Sequence, residues 1–401
     1  MEEYDSNSLS IKEDIGIHLS VKTEETLGNG QLQSNVVDVT SFGALGDGKT
    51  DDSKAFLEAW EKICGEKGSQ TLQIPIGKTF KLRPILFKGP CKSNTINFRL
   101  LGKIIAPTKS EWGGKGNGRW IIFKDVKNLI VDGFGIVQGS GPTWWNVVHS
   151  NRPTSLAFSG CDNLRLKSIT SINSARNHIS INSCTDVTVF NVTLIAPEHS
   201  PNTDGINIVG SSQVNLFHST ISTGDDCVAI NGGCSGINIT NVYCGPGHGL
   251  SVGSLGRNKA NEKVEHVHVK NCTFNGTQNG ARIKTFPGGS GYAKSISFKD
   301  IILINTRNPI IIDQHYGCRD HCPHTTSAVE VSDVKFIGFH GSASKGAINL
   351  SCSEVKRCNG IVLEDITIIP ATKGKKLEVV CNNVDGTVQD TTPTVSCLSK
   401  P

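Results

Sequence analysis

The sequence predicts an all-β chain: a right-handed single-stranded parallel β-helix with a short N-terminal capping helix. Three observations point there. First, short β-prone phrases recur: Asn128-Leu-Ile-Val, Asn163-Leu-Arg-Leu, Asp186-Val-Thr-Val, Gln213-Val-Asn-Leu, Gly236-Ile-Asn-Ile, His266-Val-His-Val, Ser295-Ile-Ser-Phe, Asp333-Val-Lys-Phe and Gly360-Ile-Val-Leu. Second, their spacing runs from 23 to 38 residues, a step in the twenties stretched by insertions, as in a solenoid whose rungs each hold several short strands. Third, no helix of ten residues fits between the phrases, which disfavours leucine-rich repeats and α/β folds. Propeller blades need longer repeats.

Taken in order, residues 1–35 are polar and aperiodic and read as a flexible tail, with one β-helix domain over 36–401. Order begins near Val36-Val-Asp-Val39. A turn-rich loop, Ser41–Asp52, leads into Ser53–Ile63, where Ala55, Phe56, Leu57, Trp60 and Ile63 form a helical apolar stripe with Asp51, Asp52 or Ser53 as N-cap. A lone amphipathic helix before a β region suits a cap that closes one end of a solenoid core. From about residue 70 the β phrases take over, punctuated by Gly, Asn, Asp and Ser.

Composition narrows the function classes. Forty basic residues against 36 acidic ones give a formal charge of +4, and no Lys/Arg run points to nucleic acid. No segment approaches the roughly 18 apolar residues that span a bilayer. The 14 cysteines contain no Cys-x-x-Cys pair, so zinc ribbons and thioredoxin-like chemistry are disfavoured. Their late clustering as Cys318/Cys322, Cys352/Cys358 and Cys381/Cys397 reads as local disulfides from an oxidising compartment, and others can serve as buried free thiols. Sequons at Asn191, Asn238, Asn271, Asn275 and Asn349 fit a secreted, extracellular glycoprotein. Met1–Ser8 has neither a basic nor an apolar region, so a signal peptide is missing from this sequence.

Chemistry concentrates between Asn202 and Lys284. Asn202-Thr-Asp-Gly205, Gly224-Asp-Asp-Cys227, Gly247-His-Gly249 and Arg282-Ile-Lys284 follow one another, and Asp204, Asp226 and His248 are 22 residues apart in turn. On stacked rungs that spacing places them one interstrand step, roughly 4.8 Å, from each other on one face. Arg282 lies further on than one rung allows, so an insertion is expected, with Leu255–Lys263 the candidate. Arg282 and Lys284 alternate and should point to the same side. Alone, an Asp pair is usually solvated surface, Gly-His-Gly a turn and Arg-x-Lys a charged strand face. In phase they make a site. Mutual repulsion among Asp204, Asp225 and Asp226 should hold at least one proton above the range of an isolated carboxylate. A protonated carboxyl at a leaving oxygen and a carboxylate that activates water are what glycosidic cleavage requires. The cations would bind carboxylates of an acidic sugar, Arg282 through a fork and Lys284 as a point charge. Calcium is the rival use of clustered aspartates, but neighbouring cations make that electrostatically poor, and neither a metal nor another cofactor is expected.

The ordered set Asn-Thr-Asp, Gly-Asp-Asp-Cys, Gly-His-Gly, Arg-Ile-Lys resembles that of the polygalacturonases, the pectin-hydrolysing glycoside hydrolase family 28, and of its plant members above all. The likeness covers about residues 37–397. It implies inverting hydrolysis of α-1,4-galacturonosyl bonds without a metal. Asp225 would be the general acid, Asp204 and Asp226 would activate water, and His248 would tune or relay protons at the acid. Arg282, Lys284, Tyr316 and Asn202 would contact substrate, and Cys227–Cys244 would form a disulfide. The expected partner is polygalacturonate and the expected state a monomer, with no nucleic acid and no membrane. Hydrolysis of a related acidic pectin such as rhamnogalacturonan, a Ca²⁺-dependent lyase, and a non-catalytic wall-binding β-helix are the alternatives. Whether cleavage is endo or exo depends on loops, with 140–155 and 255–263 the places to look.

Overall fold

A computed structural model describes residues 35–113, 118–147, 151–318, 322 and 324–399, and the structural statements below concern these residues. The expected tail lies outside them except for Asn35, which opens the strand Asn35–Asp38. The chain coils as a right-handed parallel β-helix, with strands paired in parallel in one sheet of nineteen strands and one of eleven.

The repeated phrases are the corners of this coil. The opening residue of each phrase (Asn128, Asn163, Asp186, Gln213, Gly236, His266, Ser295, Asp333, Gly360) has a positive φ, between 49° and 66°. Asn, Asp and Gly reach this left-handed region at low cost, so the sequence marks where the chain must bend. A second ladder of bends follows five residues later, at His218 and Asn241 for example, and splits the long strands Ser212–Ser222 and Cys234–Cys244 across two faces. The third face is the eleven-stranded sheet, which includes Ile179–Asn182, Ile206–Val209, Val228–Ile230, Leu250–Leu255, Asn279–Thr285, Asn308–Asp313 and Gly346–Ser351.

Alternation sends every second side chain of these strands inward. Ile181, Ile208, Ile230, Val252, Ile283, Ile312 and Leu350 pair rung on rung and are all fully buried. Each such burial contributes roughly 1.5–3 kcal/mol, so the column alone is a large stabilising term. It also makes register strict, because a one-residue slip would turn it out into water. The 22-residue step is real: Ile206 pairs with Val228 and Val228 with Leu250. The next step, Leu250 to Ala281, is longer, and the excess lies where it was expected, in the 3₁₀ turn Arg257–Lys259 and its flanks.

The helix forms over Ser53–Gly65 and buries Ala55, Phe56, Ala59, Trp60 and Ile63; Leu57, expected on that stripe, is only partly buried. Asp52 is the N-cap residue, but its carboxylate accepts from the backbone N–H of Leu45 (2.7 Å) and Gly46 (3.3 Å), tying down the preceding loop. Trp60 packs on Phe87 and Phe123, the foot of a column in which Phe123 stacks on Phe158. This is the cap closing the core. The three expected local disulfides form, as does Cys227–Cys244, and Cys64–Cys91 joins them. Cys161, Cys184, Cys234 and Cys272 are buried free thiols. Among the sequons, Asn191, Asn238 and Asn271 are exposed, whereas Asn275 and Asn349 are half-buried.

Candidate active site

The site lies on the outer face of the eleven-stranded sheet, where the turns feeding Ile206–Val209, Val228–Ile230 and Leu250–Leu255 meet the strand Asn279–Thr285. Backbone bonds lock the turns together: His248 N donates to Asp225 O (2.8 Å), Gly205 N to Asp226 O (2.9 Å) and Cys227 N to Gly249 O (2.7 Å). Two glycines are required sterically. A Cβ on Gly224 would stand 2.0 Å from the Ser200 carbonyl oxygen, and one on Gly249 would stand 2.1 Å from that of Asn279, at a φ of +84°. Directly after the aspartate pair, the Cys227–Cys244 disulfide pins the turn to the long strand beneath it.

Asp226 is the best-held of the carboxylates. It is buried; its Oδ1 accepts from Arg282 Nη2 (2.7 Å) and from Ser251 Oγ (3.0 Å), and its Oδ2 from Lys284 Nζ (2.7 Å). Arg282 Nε also donates to Ser251 Oγ (2.9 Å). The two cations do point to the same side, as alternation required, and both are engaged with Asp226. Tyr316 places its ring 5.2 Å from Lys284 Nζ and 6.0 Å from the Arg282 guanidinium carbon.

Asp225 faces the cleft as well, although it neighbours Asp226 in sequence. Gly224–Cys227 is a bend, so strand alternation does not apply to it. His248, in register with Asp226, turns to Asp225: its Nδ1 lies 2.9 Å from Asp225 Oδ1, which also accepts from Asp226 N (2.8 Å). Asn202 Nδ2 donates to Asp225 Oδ2 (3.2 Å). Asp204, one rung away, accepts from Asn207 Nδ2 (3.2 Å).

The electrostatics separate the three. Burial first, then the charges of Asp225 and Asp226, hold the Asp204 carboxyl well above the usual range, against the pull of Lys284. Burial also opposes ionisation of Asp225. There the hydrogen bond and charge of His248, the Asp226 N–H and the Lys284 charge outweigh it and hold the carboxyl below its ordinary value. Of the two carboxyls, Asp204 is thus the one whose neutral form its surroundings favour and Asp225 the one whose ionised form they favour. As a metal site the cluster is poor: atoms of Asp225, Asp226 and His248 lie within 4.8 Å of one another, but two side-chain cations already occupy both Asp226 oxygens.

All eight residues singled out in the sequence thus fall in or beside one cleft. Beside His248 it opens into a cavity of about 350 Å³ whose lining includes His199, Gln278 and Arg307. Sequence reasoning missed Ser251, which Asp226 and Arg282 share, and Arg152, which bonds Asn202 from 50 residues away. Ser251 pairs with Arg282 one rung on, and counting back from that cation could have found it. No spacing signal marks Arg152.

Carboxyls held in opposite protonation preferences beside cations suit acid–base cleavage of a glycosidic bond in an acidic sugar. The chain belongs to the glycosyl hydrolases of family 28, whose profile matches residues 64–397. An Arabidopsis thaliana protein named "Probable polygalacturonase" is 47% identical over 371 residues, covering 91% of this chain and 81% of its own length. The polygalacturonase of Prunus persica is 42% identical over 90% of this chain and 93% of its own. Among solved structures, the endo-xylogalacturonan hydrolase of Aspergillus tubingensis superposes with a TM-score of 0.77 at 24% identity, over 89% of this chain and 99% of that one, a likeness of fold.

Proposed function

We infer that this chain is a polygalacturonase that hydrolyses the α-1,4-galacturonosyl bonds of pectin homogalacturonan with inversion. The observation that carries the reading is the Asp204, Asp225, Asp226 cluster with Arg282 and Lys284 on it, acids for the bond beside cations for the sugar's carboxylate. One proton serves the cycle. Before substrate binds it rests on Asp204, whose carboxyl is held well above its ordinary range. A galacturonate carboxylate drawn to Arg282 and Lys284 cancels charge that favours an ionised Asp225, and the sugar displaces water. Both effects raise Asp225, which takes the proton as Asp204 releases it. Asp225 then protonates the glycosidic oxygen as its bond to C1 breaks. Water bonds to C1 from the other face and gives a proton to the Asp204 and Asp226 pair, restoring the start. His248 steadies Asp225 through Oδ1, and Tyr316 and the free N–H of Asn202 border the sugar. Five disulfides favour work outside the cell, in the wall.

The test is Asp225→Asn on polygalacturonate. Reducing-sugar release should vanish while the melting temperature stays near that of the parent. A near-parental rate would sink the assignment, and a parent without activity on any acidic pectin would leave a wall-binding protein. Products of the parent reaction report mode: mixed oligomers mark endo action and monomer alone exo action.

A further inference from the structure

Arg152 is 2% exposed, yet among the described residues no carboxylate forms an ion pair with it. Its guanidinium donates to the carbonyl oxygens of Pro201 and Ala175 and, through Nη2, to Asn202 Oδ1 at 2.6 Å, while its Nε has no partner among the described residues. Taking a cation out of water without a counter-charge is unfavourable, so a function for it is called for. The acidic group whose charge reaches it is Asp225, one link beyond Asn202.

That link is directional. A carboxamide presents an acceptor at one end and a donor at the other, and rotating it by half a turn exchanges them. Arg152 offers donors only, so the Asn202 oxygen must face it and the NH₂ group must face Asp225 Oδ2. Turned the other way, Asn202 would offer an oxygen to Oδ2, a contact favourable only while Oδ2 carries a proton. The acid would then hold its proton more tightly and yield it less readily to a leaving oxygen.

We propose that Arg152 is a positioning residue for the acid, locking the Asn202 carboxamide in the orientation that donates to Asp225 Oδ2. The proposal rests on Asp225 being the general acid. Charged and titratable groups facing Asp225 are His248, Asp226, Asp204, Lys284 and Arg152, and the test alters only the last.

The experiment is a double-mutant cycle of Arg152→Met and Asn202→Ala, with kcat, KM and the pH profile of kcat measured on polygalacturonate. Arg152→Met should lower kcat roughly 10- to 100-fold with little change in KM, the scale expected when a reacting group is misaligned. It should also move the alkaline limb of the profile to higher pH, because activity needs a protonated Asp225 and its proton is now held more tightly. The double variant should be no slower than Asn202→Ala, and Arg152→Lys should recover part of the rate. Losses that multiply in the double variant, or a parental kcat and pH profile with only a lower melting temperature, would overturn the proposal and leave Arg152 a loop clamp. Should Arg152→Met fail to fold, Asn202→Ala carries the test, since an unmoved alkaline limb there means that the carboxamide does not govern the acid, which also overturns the proposal. Asp225→Asn is the control. Activity surviving in that variant sinks the acid assignment itself, whereas multiplying losses in an enzyme that Asp225→Asn inactivates sink the positioning role alone.

Discussion

Replacing Lys284 with Met tests the electrostatic core of the site in one step. The side chains of Lys284 and Asp226 are 8% and 2% exposed, with Nζ 2.7 Å from Oδ2. Removing one partner of a buried pair costs about 3–5 kcal/mol, and the lower end applies because Arg282 still faces Oδ1. Unfolding entropy of about 2.1 cal/mol/K per residue over the unit Ser34–Pro401 turns a loss of about 3 kcal/mol into a melting point roughly 4 °C lower. Losing a charge-assisted contact to the substrate carboxylate removes a further 1.5–3 kcal/mol, roughly a 10- to 150-fold fall in kcat/KM. The pH profile should shift too. Lys284 pulls the carboxyls of Asp204 and Asp225 downward, so without it both rise and both limbs of the rate profile move to higher pH. Differential scanning fluorimetry and reducing-sugar assays across pH measure all three quantities. A melting point within a degree of the parent, together with an unmoved profile, would refute the view that Lys284 neutralises Asp226 in the fold and tunes its neighbours.

Two further outcomes are expected. The imidazole of His178 is fully buried against Ser171 Oγ (2.9 Å) with no partner on Nε2 among the described residues, and burial pushes its pKa down to about 3. The unfolded chain accepts a proton there below about pH 6.5 that the folded chain refuses until about pH 3, so stability falls as pH drops through that window, by up to about 5 kcal/mol. Urea titrations at pH 4 and pH 7 should show a smaller pH dependence for His178→Gln than for the parent, and equal dependences would contradict this. Exhaustive chelation, and millimolar Ca²⁺ afterwards, should both leave reducing-sugar release unchanged, because Arg282 and Lys284 already fill the coordination positions of Asp226. A rate that fell with chelator and returned with Ca²⁺ would reopen the lyase reading.

Much of this molecule is legible in one dimension because a solenoid writes its geometry as a period. Asn128, Asn163, Asp186 and their counterparts sit at left-handed corners, and residues tolerant of that backbone recur once per coil. The same regularity lets a 22-residue count bring Asp204 and Asp226 to neighbouring rungs, and lets an excess of residues at 255–263 be recognised as an insertion. The helix stripe was readable with one substitution of partner, Ala59 for Leu57, since a 3.6-residue period fixes the face but packing on Phe87 and Phe123 sets its width.

Contacts that ignore the period could not be read this way. His248 is in phase with Asp226 and touches Asp225, because a bend at Gly224–Cys227 breaks the alternation a strand would impose. Arg152 reaches Asn202 across 50 residues through a bond that no repeat encodes. The opposite directions in which the Asp204 and Asp225 carboxyls are pushed also follow from burial and from the neighbouring charges of Lys284 and His248, none of which is a property of residue order. The sequence by itself determined the coil, its rung length and the eight residues Asn202, Asp204, Asp225, Asp226, His248, Arg282, Lys284 and Tyr316 that meet at the site, though neither Ser251 nor Arg152. Only the tertiary structure decided who bonds whom within the site, because side-chain hydrogen bonds depend on direction over a few ångströms, where turns depart from the repeat.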